Sequence, residues 1–127
     1  MIKVMIVDDH PMVAEGIQSI LESYDDIEVV GCLPNGRAAI DSVAQLAPDV
    51  VLMDLNMPDQ LGTDVLAQIR STPQLAKMPV VMQSASEREA DVRASRAAGA
   101  NAYFVKPITA RDIPAVMGHI QDPIPKR

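Results

Sequence analysis

Five short apolar runs, at residues 2 to 7, 27 to 32, 49 to 53, 79 to 83 and 101 to 105, alternate with segments whose apolar residues recur every three or four positions. Such alternation is the pattern of successive β-α units, which pack as a parallel sheet covered by helices. The chain is therefore expected to form an α/β domain of five strands and five helices. Runs one, three and four are nearly unbroken in Val, Ile, Leu and Met, as strands buried on both faces require, whereas Glu28 interrupts the second. The second strand is predicted to lie at a sheet edge.

Periodicity also predicts which helix face meets the sheet. The first helix should bury Val13, Ile17, Ile20, Leu21 and Tyr24, with Glu15, Gln18 and Glu22 outside. The second should bury Ile40, Val43, Ala44 and Ala47. The third should bury Leu61, Val65, Leu66 and Ile69 and stop near Ser71, because Pro73 disfavours helical geometry in the residue before it. The fourth, roughly residues 87 to 98, offers a stripe of Ala90, Ala94, Ala97 and Ala98, with Val92 its one larger apolar residue. At about 0.8 kcal/mol per buried methylene, such a stripe docks several kcal/mol more weakly than leucines would. The same alanines equally permit close packing of helix on sheet, a second reading that the sequence leaves open. The fifth helix is expected to start with Asp112 as its cap, placing Pro114 in the first turn and Val116, Met117 and Ile120 inward.

A chain of 127 residues suits one domain, assigned to residues 1–121, with the Pro-rich residues 122–127 as a tail or the start of a linker. With 48% hydrophobic and 22% charged residues it reads as globular, and no apolar stretch reaches membrane-spanning length. The amino terminus lacks the features of a signal peptide, which predicts a cytoplasmic protein without membrane association. A net charge of -6 argues against direct nucleic-acid binding by this domain, and the pair Lys126, Arg127 is too short to form a basic arm. The lone Cys32 ends an apolar stretch and is expected to be a reduced, buried thiol.

The chemistry collects at the ends of the runs. Asp8 and Asp9 follow the first, Asp54 closes the third, Ser84 follows the fourth and Lys106 follows the fifth. An open parallel sheet binds ligands at the carboxyl ends of its strands, so these residues should converge. Three carboxylates and one ammonium leave excess negative charge, which a hard divalent cation such as Mg²⁺ would neutralise. That arrangement suits phosphoryl chemistry on a carboxylate. His10, beside a turn proline, is expected to be solvated, and His119, late in the last helix, to complement the helix dipole.

These residues stand in the segments Ile6-Val7-Asp8-Asp9-His10-Pro11, Leu52-Met53-Asp54-Leu55-Asn56-Met57-Pro58 with Gly62 beyond, Ser84-Ala85, Gly99-Ala100 and Tyr103-Phe104-Val105-Lys106-Pro107. Over essentially its whole length the chain resembles the receiver domain of bacterial two-component response regulators, the family that includes the chemotaxis regulator. The resemblance implies a doubly wound, flavodoxin-like sheet of strand order 2-1-3-4-5. It implies that Asp54 is the phosphoacceptor. Asp8, Asp9, Asp54 and the Asn56 backbone carbonyl would hold Mg²⁺, and Lys106 and Ser84 would contact the phosphoryl oxygens. Ser84 stands where threonine is common, but either hydroxyl can donate. Ser84 and Tyr103 would form the switch. The implied donor is a sensor histidine kinase or histidine phosphotransfer protein. The implied target is a downstream output domain or protein, or a second copy of the domain in a phosphorylation-dependent homodimer. Such a domain is no enzyme beyond its own phosphorylation and dephosphorylation.

Asp59, Gln60 and Leu61 depart from the family's usual small, apolar and acidic sequence before the glycine. Asn56 and Ser86 occupy positions that in the family tune water access to the phosphoaspartate. A phosphatase of the haloacid dehalogenase type would need a second aspartate where Asn56 stands. A flavodoxin-like cofactor binder would need a phosphate-cradling loop where the Asp8-Asp9-His10-Pro11 segment would repel phosphate. A pseudo-receiver acting only as a protein-binding module is the remaining alternative, yet such proteins usually lose part of the acidic set or the lysine. Here all survive.

Overall fold

Along β1 (Ile2–Val7) alternate side chains part to opposite faces, Val4 and Ile6 into one apolar cluster and Met5 and Val7 into another. The computed structural model describes residues 2–57, 59–106 and 108–115. β2 (Ile27–Leu33), β3 (Val50–Asp54), β4 (Val80–Ser84) and β5 (Ala102–Val105) complete one parallel sheet in the order β2-β1-β3-β4-β5. β2 is an edge, as Glu28 indicated, and every residue of β3 and β4 is buried.

The helices α1 (Pro11–Glu22), α2 (Gly36–Leu46), α3 (Gly62–Ser71) and α4 (Glu89–Ala98) connect the strands, and residues 113–115 begin the fifth. Ala14, Ile17 and Leu21 of α1 pack with Val4, Ile6, Val50 and Leu52, whereas α2 and α3 cover Met5, Val7, Val51 and Met53 with Val43, Val65, Leu66 and Ile69. Fully burying a residue such as Leu21 or Ile69 contributes about 1.5–3 kcal/mol, so these helices dock firmly. Among the described residues no helix is long and apolar enough to cross a membrane.

Several facing residues differ from those the periodicity indicates. In α2 the buried residues are Gly36, Ala39 and Val43; Ala44 is exposed, and Ala47 lies past the helix as a left-handed cap with φ of 47°. Leu61 is exposed because it occupies the N-cap position of α3 rather than its first turn. In α4 the face is turned by one residue: Ala90, Ala94 and Ala97 are exposed, while Ser95 is fully buried and Asp91, Val92 and Ala98 are half-buried. The half-buried Asp91 carboxylate accepts from the Ser86 hydroxyl. The helix still buries only one residue.

Asp112 is not the cap that starts the fifth helix. Thr109 is, with the Asp112 carboxylate accepting from the Thr109 backbone N–H at 2.9 Å, and a 3₁₀ turn (Ala110–Asp112) precedes the helical residues. That turn carries Pro114 into helical geometry without an interior break. Val116, Met117, His119, Ile120 and the 122–127 tail lie outside the described residues. Cys32 is free and exposed rather than buried, its sulfur 3.3 Å from Gln18 Oε1, and partial burial with the nearby Glu22 charge raises its pKa. The thiol form, which is the less reactive one, is favoured.

Candidate functional site: an acidic pocket at the sheet's carboxyl edge

The parallel register aligns the strand ends, pairing Val7 with Met53, Asp54 with Gln83 and Ser84 with Val105. Everything the sequence places after those ends is therefore delivered to one edge. Lys106 Nζ lies 2.9 Å from Asp8 Oδ2 and 3.3 Å from Asp54 Oδ1. Asp8 and Asp54 are buried, and Ser84 is 1% exposed. Asp54, Asn56, Ser84, Ala85, Lys106 and His10 line a common cleft of about 270 Å³.

One cation does not satisfy this cluster. Asp54 Oδ2 and Asp9 Oδ1 are both buried atoms that receive no hydrogen bond. The Asp54 carboxyl is pushed up from 3.8 to about 6, first by burial, with Asp8 and Asp9 adding to it and Lys106 pulling the other way. Asp8, Asp9, His10 and Asp54 each offer a ligand atom within 4.8 Å of the others. Orphaned carboxylate oxygens among hard oxygen donors are what a divalent cation would satisfy.

His10 is more involved than its turn position suggests. Its ring is 60% exposed, yet Nδ1 points inward, 3.1 Å from Asp8 Oδ1 and 3.0 Å from Asp9 Oδ1. The backbone N–H of His10 donates to Asp8 Oδ1 at 2.8 Å, and Pro11 opens α1, so the loop places the His10 backbone beside the cluster.

Tyr103 does not line the cleft. It is half-buried against the α2–α3 side of the core, and its hydroxyl donates to the Ser86 carbonyl at 2.8 Å. The Ser86 N–H in turn donates to Ser84 Oγ at 3.1 Å, which leaves the Ser84 proton free for another acceptor. Tyr103 is thus joined to the site through one intervening residue.

Two residues that the sequence singles out, Asp59 and Gly62, have roles here that it does not show. The Asp59 carboxylate accepts from the backbone N–H groups of Gly36 at 3.1 Å and Arg37 at 3.0 Å, so the unusual loop after β3 holds the start of α2. The bond from Arg37 chiefly keeps the Asp59 pKa low. Gly62 lies so close to Asp54 that an added Cβ would collide with the Asp54 carbonyl oxygen. Gly62 N also donates to the Leu55 carbonyl at 2.6 Å, closing the loop against the site.

A doubly wound parallel α/β domain with a carboxylate-lysine cluster at the carboxyl edge is the architecture of a signalling receiver. The chain belongs to the response regulator receiver domain family, whose model matches residues 4–117. It is 40% identical over 112 residues to the response regulator protein VraR of Staphylococcus aureus, covering 88% of this chain and 53% of VraR. It therefore spans about half the length of the curated relatives it matches. The signal receiver domain of NarL from Mycobacterium tuberculosis superposes with a TM-score of 0.88 at 32% identity, over 94% of this chain and 96% of that one. The Mn²⁺-bound form of response regulator Rcp1 gives a TM-score of 0.77 at 30% identity, over 96% and 93% of the two chains.

Proposed function

We propose that this domain is a phosphorylation-dependent switch in which Asp54 accepts a phosphoryl group from the phosphohistidine of a sensor kinase or histidine phosphotransfer protein. The observation that carries this reading is the state of Asp54: buried, paired through Oδ1 with Lys106, and orphaned at Oδ2. A bond forms between an Asp54 carboxylate oxygen and phosphorus as the donor's P–N bond breaks, and the departing imidazole takes up a proton. Lys106 neutralises one phosphoryl oxygen, and the Ser84 hydroxyl, with its proton uncommitted, donates to another.

Asp9, Asp54, the Asn56 carbonyl and Asp8, directly or through water, would hold Mg²⁺. When bound, the ion supplies positive charge beside the transferring oxygens. The two orphaned oxygens and the metal-bound form of Rcp1 support this assignment. Redirecting the Ser84 hydroxyl perturbs the Ser86 backbone, to which Tyr103 is bonded, and the weakly buried α4 adjoins that loop. The surface of α4, β5 and the fifth helix is then the output face. It would meet an output domain, a separate partner or a second copy of this chain in the cytoplasm, with residues 1–121 as the switching unit and 122–127 as tail or linker.

The test is labelling with acetyl phosphate and Mg²⁺, read by intact mass. A single phosphate-sized increment is expected, absent in Asp54→Asn. Undiminished labelling of that variant would contradict the assignment.

A further inference from the structure

Among the described residues His10 offers the one nitrogen in a set of candidate metal-ligand atoms that is otherwise carboxylate oxygen, and the role proposed above for the site gives it nothing to do. Its Nδ1 lies 3.0 Å from Asp9 Oδ1, 3.1 Å from Asp8 Oδ1 and 3.9 Å from Asp54 Oδ2. Two ligands at right angles around an ion, each bonded at roughly 2.1 Å, stand about 3 Å apart. The first two separations have that spacing, and the one to Asp8 is also a hydrogen bond that an ion would replace. The third approach is to the carboxylate oxygen that is buried without a partner, in a residue only 2% exposed. The backbone at His10 is held by its N–H bond to Asp8 and by Pro11 at the helix start, and the ring itself meets Asp8 Oδ1 through Nδ1.

We infer that His10 is a further protein ligand of the divalent-ion site, through Nδ1, and that it tilts the site toward a nitrogen-seeking transition metal. The inference rests on the divalent-ion site proposed above. Imidazole nitrogen adds little to a hard ion such as Mg²⁺ but much to Ni²⁺ or Zn²⁺, so one nitrogen among carboxylates changes the preference rather than the existence of the site. The His10 side chain is 60% exposed, and binding through Nδ1 leaves the proton on Nε2.

The experiment is direct binding of Mg²⁺ and of Ni²⁺ to the untagged protein at pH 8, for wild type, His10→Ala and Asp9→Ala. His10→Ala should weaken Ni²⁺ by on the order of tenfold or more, the scale already seen when a ligand loses its supporting partner. Mg²⁺ affinity should change by no more than about twofold. Pulsed EPR of the Mn²⁺-loaded protein should show a directly bound nitrogen that His10→Ala removes. If Asp9→Ala abolishes binding of both ions while His10→Ala leaves the Ni²⁺ to Mg²⁺ ratio unchanged, His10 is no ligand although the site stands. If Asp9→Ala changes neither ion, the site reading and this inference both fail.

Discussion

The Tyr103 hydroxyl donates to the Ser86 carbonyl at 2.8 Å, tying β5 to the loop that follows β4. Because Ser86 also bonds Ser84 and, through its hydroxyl, Asp91 of α4, one residue joins the acidic pocket, the edge strand and the helix start. A ligand that engages Ser84 in one state only biases all three together. Beryllofluoride with Mg²⁺ should therefore change amide exchange within residues 84 to 104 and leave α2 nearly unaffected. A response confined to α1 and α2 would refute the output face.

The raised Asp54 pKa fixes a pH dependence. Folding makes Asp54 harder to ionise, so its contribution is unaltered below its ordinary 3.8, and stability is lost as pH rises through about 6. In EDTA, the gain in Tm from Asp54→Asn should grow between pH 4 and pH 7 and then level off. The thermal shift produced by Mg²⁺ should run the same way, small near pH 5 and large near pH 8, because binding needs the carboxylate. A shift independent of pH would contradict the burial of an unsatisfied charge.

Arg70 clamps the far end of α4. Its guanidinium donates to the Gly99 carbonyl at 2.7 Å, the Met78 carbonyl at 2.7 Å and Asn101 Oδ1 at 3.0 Å. Gly99 itself closes α4 with φ of 107°, where a side chain would be strained and would also press on Arg70. Since hydrogen bonds to a charged group contribute roughly 1.5–3 kcal/mol, Arg70→Ala should cost at least about 2 kcal/mol in denaturant unfolding. Faster exchange should be concentrated in α4. A change below about 0.5 kcal/mol, typical of surface substitutions, would make the clamp incidental.

Gly62→Ala tests the packing beside Asp54. The added methyl meets the Met82 Cε, which can swing aside, but also the backbone at the Asp54 carbonyl and Leu55, so the loop must move. A loss of about 1–3 kcal/mol is expected, with slower labelling by acetyl phosphate. Wild-type labelling in a destabilised variant would show that the loop is structural only.

The sheet and the acidic pocket were legible because each is a local signal repeated: an apolar run followed by Asp8-Asp9, Asp54, Ser84 or Lys106. Parallel pairing then brings those ends together whatever the loops do. The α4 face was not legible, because helical period assigns alanines inward, whereas Ser95 is the buried residue and Asp91 bonds Ser86 across the helix start. Asp59 and Arg70 act on backbone 23 and 29 residues away, a distance over which residue type carries no signal. The inward turn of His10 shows only in the contacts of its Nδ1 with Asp8 and Asp9, which no spacing in the sequence signals. The fifth helix's cap was misplaced by three residues because a 3₁₀ turn, rather than an α-turn, leads into Pro114.

Trapping the acyl phosphate tests the central claim most directly. After exposure to acetyl phosphate and Mg²⁺, borohydride reduces an aspartyl phosphate to homoserine, and peptide sequencing reads its position. Homoserine at position 54, absent when the phosphodonor is omitted, is the predicted result. Homoserine at position 8 or 9 with none at 54, or no reduced residue in a protein shown by mass to be phosphorylated, would contradict it.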